Sequence, residues 1–505
     1  MSTFPNEIWM HIVEYLPVQA LHDLMNVNSV FFQAAMDFRY RQISFAYLDN
    51  RMLRSLARLK DPSVAKRVRI LHVYPGFLKE ALDREKEKQD LGLVAPAPVH
   101  RRSLRDKLTD IANLLLEPKI VTPKHPRIRL MQTLKRTEDI VQLMLDVLSG
   151  LPNVTDYYVT WCGLPSISAT AVPFLLTVFQ PNLRKLSLEL SLENMRTLLT
   201  PSFKVEKLEE LQLTIHSENI DSVWERSDIL RTHLAPAISR LRSTLQTLTI
   251  QSWEPADLSP MLCAISRLPA LEELVIAIPV ESPHLGDPEG LTHFLNAHRV
   301  TLRTLRLRAT QFGGCGLTPD LVSFDNWVRQ AVVGVHLPKL RQLDISSGHF
   351  PIDTSLFCLQ HFASSITSLS LTGCYRSYDD VHEALNLVSD TDGSLFRLRL
   401  GLVSLSPQLV DLISSQLPGL IRLELVVKYI LPHPFDSPRF SSQHPDDQAT
   451  TQVDAFLSEM ENRCYSFWEL GHMSLLADFL PSRTHYEDLL EKTFRRCIPS
   501  IKTFS

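Results

Sequence analysis

Along most of the chain, apolar residues recur in a six-residue pattern, apolar-x-x-apolar-x-apolar, built mainly from Leu and Ile. Nine strong copies follow one another: Leu183/Leu186/Leu188, Leu208/Leu211/Leu213, Leu245/Leu248/Ile250, Leu271/Leu274/Ile276, Leu302/Leu305/Leu307, Leu340/Leu343/Ile345, Ile366/Leu369/Leu371, Leu395/Leu398/Leu400 and Leu420/Leu423/Leu425. Weaker copies sit at Val68/Leu71/Val73 and Val154/Tyr157/Val159. The last two apolar positions of each copy are two apart, as one face of a short strand requires, and the first supplies the entry turn. Helical patterning fills the gaps, for example at 260–265 and 408–413, and Leu-Pro or Pro-Asn pairs precede many copies. The middle residues from Leu186 to Leu423 are 25, 37, 26, 31, 38, 26, 29 and 25 residues apart. The pattern predicts strand, turn, helix, turn, repeated unevenly, with the extra residues of long units in loops on one edge.

That alternation resembles a leucine-rich-repeat solenoid. The resemblance implies an α/β architecture, an irregular arc with parallel strands on its concave face and helices outside. No unit closes a core alone, so neighbours must stack. A plain α/β domain with a parallel sheet shares the alternation and is the other reading.

The first 45 residues are patterned differently. Ile8, Ile12 and Leu16 form one stripe of a first helix, while Trp9, Met10 and Val13 fall on its other faces. A helix apolar on more than one face has to be covered on more than one face. So short a segment rarely builds a sufficient core alone. Pro5 suits the first helical position, Glu7 complements the helix dipole, and Pro17 ends the helix. Leu21, Leu24 and Met25 predict a short second helix, and Asn28 or Ser29 can cap a third. Either the rest of the chain covers the surplus apolar surface, as in a capping bundle, or another protein does.

Pro5-x-Glu7-Ile8, Tyr15-Leu16-Pro17, Leu21 and Leu24 three apart, Val27-Asn28-x-x-Phe31 and the following Arg39-Tyr40-Arg41 together resemble an F-box. This is the adaptor-binding motif of Skp–cullin–F-box ubiquitin ligases, and the likeness covers about 45 of the 505 residues. It implies a substrate-recognition subunit that is not itself an enzyme, docked on a Skp-type adaptor and through it a cullin. Pro5, Ile8, Ile12, Leu16, Pro17, Leu21, Leu24, Val27 and Phe31 would make the adaptor contact, and the repeats would hold a protein target. A ligase-independent repeat scaffold, its helices merely capping the array, is the alternative. Chemistry would then belong to partner subunits, and this chain would contribute positioning.

The expected organisation is a helical domain over 1–45, a linker with the first weak repeat and a basic insertion over 46–150, and repeats over 151–431. A flexible loop over 432–452 and a helical cap over 453–505 follow, the cap using Phe456, Trp468, Leu475, Leu476 and Phe479. The insertion at 84–136 carries 13 Lys/Arg against 6 Asp/Glu and reads as a localisation or polyanion patch, or as a solvated loop with a helix at 104–116.

Composition, at 44% hydrophobic and 21% charged, argues against disorder. A net charge of −4 gives no global pull towards nucleic acid or an anionic membrane. Seven scattered cysteines fit a reducing compartment, and no membrane span or secretory signal is visible; the expectation is a cytoplasmic or nuclear protein. No phosphate-cradling loop or metal-ligand spacing appears, since Gly313-Gly314-Cys315-Gly316 reads as a turn, and no cofactor is implied. On the expected concave face, Arg306, Arg308, Arg397, Arg399 and Arg422 alternate with buried leucines, whereas earlier repeats show Glu189, Glu210 and Glu273. These arginines either grip an acidic or phosphorylated peptide through bidentate forks or pair with Asp344, Glu424 and loop acids.

Overall fold

The computed structural model describes residues 5–47, 49–74, 137–161, 176–179, 181–199, 205–216, 220, 222–252, 257–280, 285–310, 319–346, 348, 350–389, 395–436, 445–477 and 483–505. The basic segment at 84–136, with its expected helix, lies outside them. So do Gly313–Gly316, Phe479 and residues 437–444 of the expected loop. Two compact units divide the chain, residues 1–221 and 222–505.

The first unit opens with three helices, α1 (Asn6–Glu14), α2 (Val18–Leu24) and α3 (Ser29–Arg41). Pro5 stands one residue before α1 as its N-cap, and its carbonyl accepts Ile8 N–H at 3.1 Å. Pro17 has the same place before α2. Asn28 caps α3, its side-chain oxygen accepting Phe31 N–H at 2.9 Å, which satisfies one of the orphan donors of a helix start. α3 then runs without a loop into the first strand, β1 (Gln42–Phe45).

Four more strands follow in this unit: β2 (Ile70–Val73), β3 (Asp156–Trp161), β4 (Lys185–Ser191) and β5 (Glu210–His216). Each pairs in parallel with the next. The second unit carries β6 (Thr247–Ser252), β7 (Glu273–Pro279), β8 (Thr304–Thr310), β9 (Gln342–Ser346), β10 (Ser368–Thr372), β11 (Arg397–Leu405), β12 (Arg422–Ile430), β13 (His472–Leu476) and β14 (Thr503–Phe504). These again pair in parallel with their sequence neighbours. Both units are parallel α/β repeat arrays of the kind the apolar spacing predicts.

The repeat has a physical cause at each position. The second and third apolar residues of a copy point inward: Leu186, Leu188, Leu248, Ile250, Leu305 and Leu398, among others, are buried. The first, such as Leu183, Leu245, Leu302 or Leu420, is buried in the turn before the strand. Just before each strand one carbonyl accepts two N–H groups from the next repeat. Gln246 O takes Glu272 and Glu273 N–H, Glu272 O takes Arg303 and Thr304 N–H, and Thr367 O takes Phe396 and Arg397 N–H. Side-chain caps start several of the intervening helices, as Ser406 does for 407–416, while Ser377 and Asp380 cap 378–389 reciprocally.

Two boundaries differ from expectation. The array starts at Gln42, inside the segment expected to be wholly helical, because Tyr40, Ile43 and Phe45 form a further copy of the pattern and are buried. The segment 453–505, expected to be a helical cap, contains β13 and β14 between and after the helices 445–460 and 483–497. Leu470, Met473 and Leu475 supply the pattern there, with Met in place of Leu. Phe456 and Trp468 are buried as expected, whereas Leu476 is about half exposed.

Candidate functional site

The helical trio holds itself together with few residues. Leu21, Phe31 and Ala35 are buried, and the rings of Trp9 and Phe31 meet edge to face with centroids 5.4 Å apart. Leu21 and Phe31, expected at an adaptor contact, are therefore spent inside the bundle. The other residues of that expected set lie nearer the surface. Ile8, Ile12 (37% exposed) and Val27 (62%) are exposed with Pro5 and Pro17, and Leu16 and Leu24 are half-buried. Met10, Tyr15 and Phe32 add further exposed apolar area.

Below the trio, α3 is tied to the array. Arg67 pairs with Asp37, donates to the Gln33 side chain and reaches Gln33 O at 3.2 Å. Arg58 Nη1 donates to the hydroxyl of the buried Tyr40 at 2.9 Å. Phe32 thus stands on a helix held by the repeats, and α1, which carries Ile8, Met10 and Ile12, packs against that helix.

The second candidate surface is the solvent face of the strands in the second unit. Register aligns Arg306 on β8 with Asp344 on β9, and Arg399 on β11 with Glu424 on β12. The five expected arginines sort into two groups. Arg306 Nη2 pairs with Glu273 at 3.0 Å, and Arg308 makes a bidentate pair with Asp344 at 2.9 and 2.8 Å. Burial opposes the charge on Asp344, yet hydrogen bonds from Arg308 and Ser346 outweigh it and hold the carboxyl below the usual range. Arg397, Arg399 and Arg422 instead share Glu424. Burial of Glu424 works against its charge, and the hydrogen bonds and charges of Arg397 and Arg422 overcome it, so its pKa is also lowered.

Two features of these faces were not anticipated from the sequence. Lys428 Nζ lies 5.3 Å from the ring centroids of both Tyr375 and Tyr429. In the first unit His72 stacks on Tyr158, centroids 4.4 Å apart, and on Tyr74 at 6.0 Å. The His72–Tyr158 stack follows from strand register, which a single hexamer does not reveal, whereas Tyr375 reaches Lys428 from outside the strands. Among the described residues no group of three His, Cys, Asp or Glu is placed to hold a metal ion. No described helix is long and apolar enough to cross a membrane.

No family model matches this chain. No curated protein matches it either. Among solved structures it is similar to a chain of the crystal structure of the Rad7 and Elc1 complex in yeast. That chain is 15% identical, the match covering 72% of this chain and 95% of the other with a TM-score of 0.34. A likeness this loose carries no argument about function, and the fold stands on the pairing and burial described above.

Proposed function

We propose that this chain is the substrate-recognition subunit of a Skp–cullin–F-box type ubiquitin ligase. Residues 5–32 dock on the Skp-type adaptor, and the solvent face of the strands holds a protein target. The observation that carries this reading is the exposed apolar set Ile8 and Ile12 of α1, Tyr15 at its C-cap and Val27 between α2 and α3, in a helical trio whose internal core is already filled by Leu21 and Phe31. Ile8, Ile12 and Tyr15 recur at i, i+4 and i+7 along one helix face, and an exposed apolar stripe of that kind fits a surface that another protein covers. The order of residues in the segment agrees with the F-box resemblance.

A second reading, a ligase-independent scaffold with an N-terminal cap, is favoured by the bonds of Arg67 and Arg58 to α3. One experiment separates the two. Full-length protein co-expressed with a Skp-type adaptor should co-purify with it, and Ile12→Asp should abolish this without lowering the melting temperature. A pure cap predicts the reverse, no adaptor recovered and a less stable array.

A further inference from the structure

Arg376 lies between β10 and the helix 378–389, and it is 2% exposed. Among the described residues it is the one Lys, Arg, Asp or Glu that is buried. Its main chain is built into the array. The N–H donates to Leu402 O at 3.2 Å, and a parallel bridge joins Arg376 to Val403 of β11. The side chain runs inward to the helix Ile352–Phe362, where Nη2 donates to the Ser355 hydroxyl at 3.2 Å.

That hydroxyl is a poor match for a cation. Ser355 is itself buried and gives its own proton to Pro351 O at 3.0 Å. Arg376 Nε has no hydrogen-bond partner at all. The acids around this corner are committed elsewhere. Asp380 accepts Ser377 N–H at 2.8 Å, and Asp325, which the Thr354 hydroxyl also contacts, pairs with Arg329 at 2.8 Å. Burial, the largest influence, pulls the guanidinium pKa below its ordinary value, and the nearby Cys374 and Asp380 oppose this without an ion pair. Arginine does not shed its proton in a folded protein, so the buried charge has to be met in another way.

We propose that Arg376 holds a small monovalent anion of the halide class at Nε, chloride being the abundant example. One unpaired positive charge calls for one negative charge, and a charge-assisted hydrogen bond is stronger than a neutral one. Water would satisfy the N–H and leave the charge unmet. An arginine 2% exposed offers no opening to a phosphate ester or a peptide carboxylate, which sets the size of the ligand. The anion would brace the irregular corner where Leu402 takes its left-handed conformation and the β11–β12 register shifts. The site is separate from the helical trio and from the solvent face of the strands, and it stands whatever docks on either.

The test melts full-length protein at constant ionic strength while sodium gluconate is replaced stepwise by sodium chloride. Chloride bound by the folded chain alone should raise the melting temperature by about 2 °C for each tenfold increase above its dissociation constant. Arg376→Met removes the buried charge and keeps much of the volume, so its melting temperature should stay flat across the series. If that variant does not fold, wild-type crystals grown in sodium bromide decide instead, and their anomalous difference map should show a peak beside Arg376 Nε. Equal wild-type melts in the two salts, a gain that begins only at molar chloride, or the same gain in Arg376→Met overturns the proposal. So does a bromide map with no peak at that nitrogen.

Discussion

His298 is buried in the second unit, where its Nε2 accepts Leu268 N–H at 2.9 Å and its Nδ1 lies 2.7 Å from Phe294 O. That pair of partners suits the neutral ring, with the proton on Nδ1. Burial, the largest influence, pushes the pKa below the ordinary histidine value, and the charge of Arg267 adds to it. In the window between the lowered value and the ordinary one, about 6.5, the unfolded chain takes up a proton that the folded chain refuses. The stabilisation from His298 is thus full above that ordinary value and is lost as pH falls through the lowered one. His298→Leu should cost about 1–3 kcal/mol near neutral pH by orphaning the Leu268 N–H. It should also reduce the acid sensitivity seen in melts recorded at stepwise lower pH. None of this was legible in the sequence, because one His among 18 carries no mark of its two backbone partners.

At the scale of the element, the strands were legible because their apolar period is repeated and buried. The copies that escaped notice carry an aromatic residue or Met where Leu is usual, namely Tyr40/Ile43/Phe45 and Leu470/Met473/Leu475. Filling the inner positions sets the cost of changing them. Leu248→Ala, at a fully buried position of β6, should destabilise the protein by about 2–5 kcal/mol, read as a lower denaturant midpoint. β11 sets a tighter constraint. A Cβ on Gly401 would stand 2.6 Å from Cβ of Thr372 and 2.8 Å from its Cα, so β11 meets β10 too closely there for any side chain. The next residue, Leu402, has a φ of 54°, a left-handed conformation at the irregularity where the β11–β12 register shifts. Gly401→Ala should therefore cost about 1–3 kcal/mol. It should also disturb the neighbouring Arg399 more than the distant Arg306–Glu273 pair, a difference that hydrogen exchange along β11 and β8 would report.

At the scale of the whole molecule, the chain devotes its sequence to stacked repeats and then leaves apolar side chains uncovered on its first helices. The repeats supply rigidity: α3 continues into β1, and Arg67 and Arg58 fasten it, so a partner on α1–α3 would be held in a fixed relation to the first unit. Arg67→Ala should loosen that fastening, lowering stability by about 1 kcal/mol and exposing α3 to faster proteolysis while leaving the apolar residues in place. The docking candidates were legible by order along the chain, whereas their division into a buried pair, Leu21 and Phe31, and an exposed set was visible only after folding. The same holds for the arginines, whose sorting into balanced pairs and an unbalanced triad depends on strand register.

Docking through the exposed apolar residues of the helical trio is read out by an affinity measurement between the full-length chain and a purified Skp-type adaptor. Wild type should bind, and Ile12→Asp should weaken binding by about 2 kcal/mol or more, roughly thirtyfold, at an unchanged melting temperature. Binding retained in Ile12→Asp, or no binding by the wild type, would mean that these helices are not an adaptor-docking element.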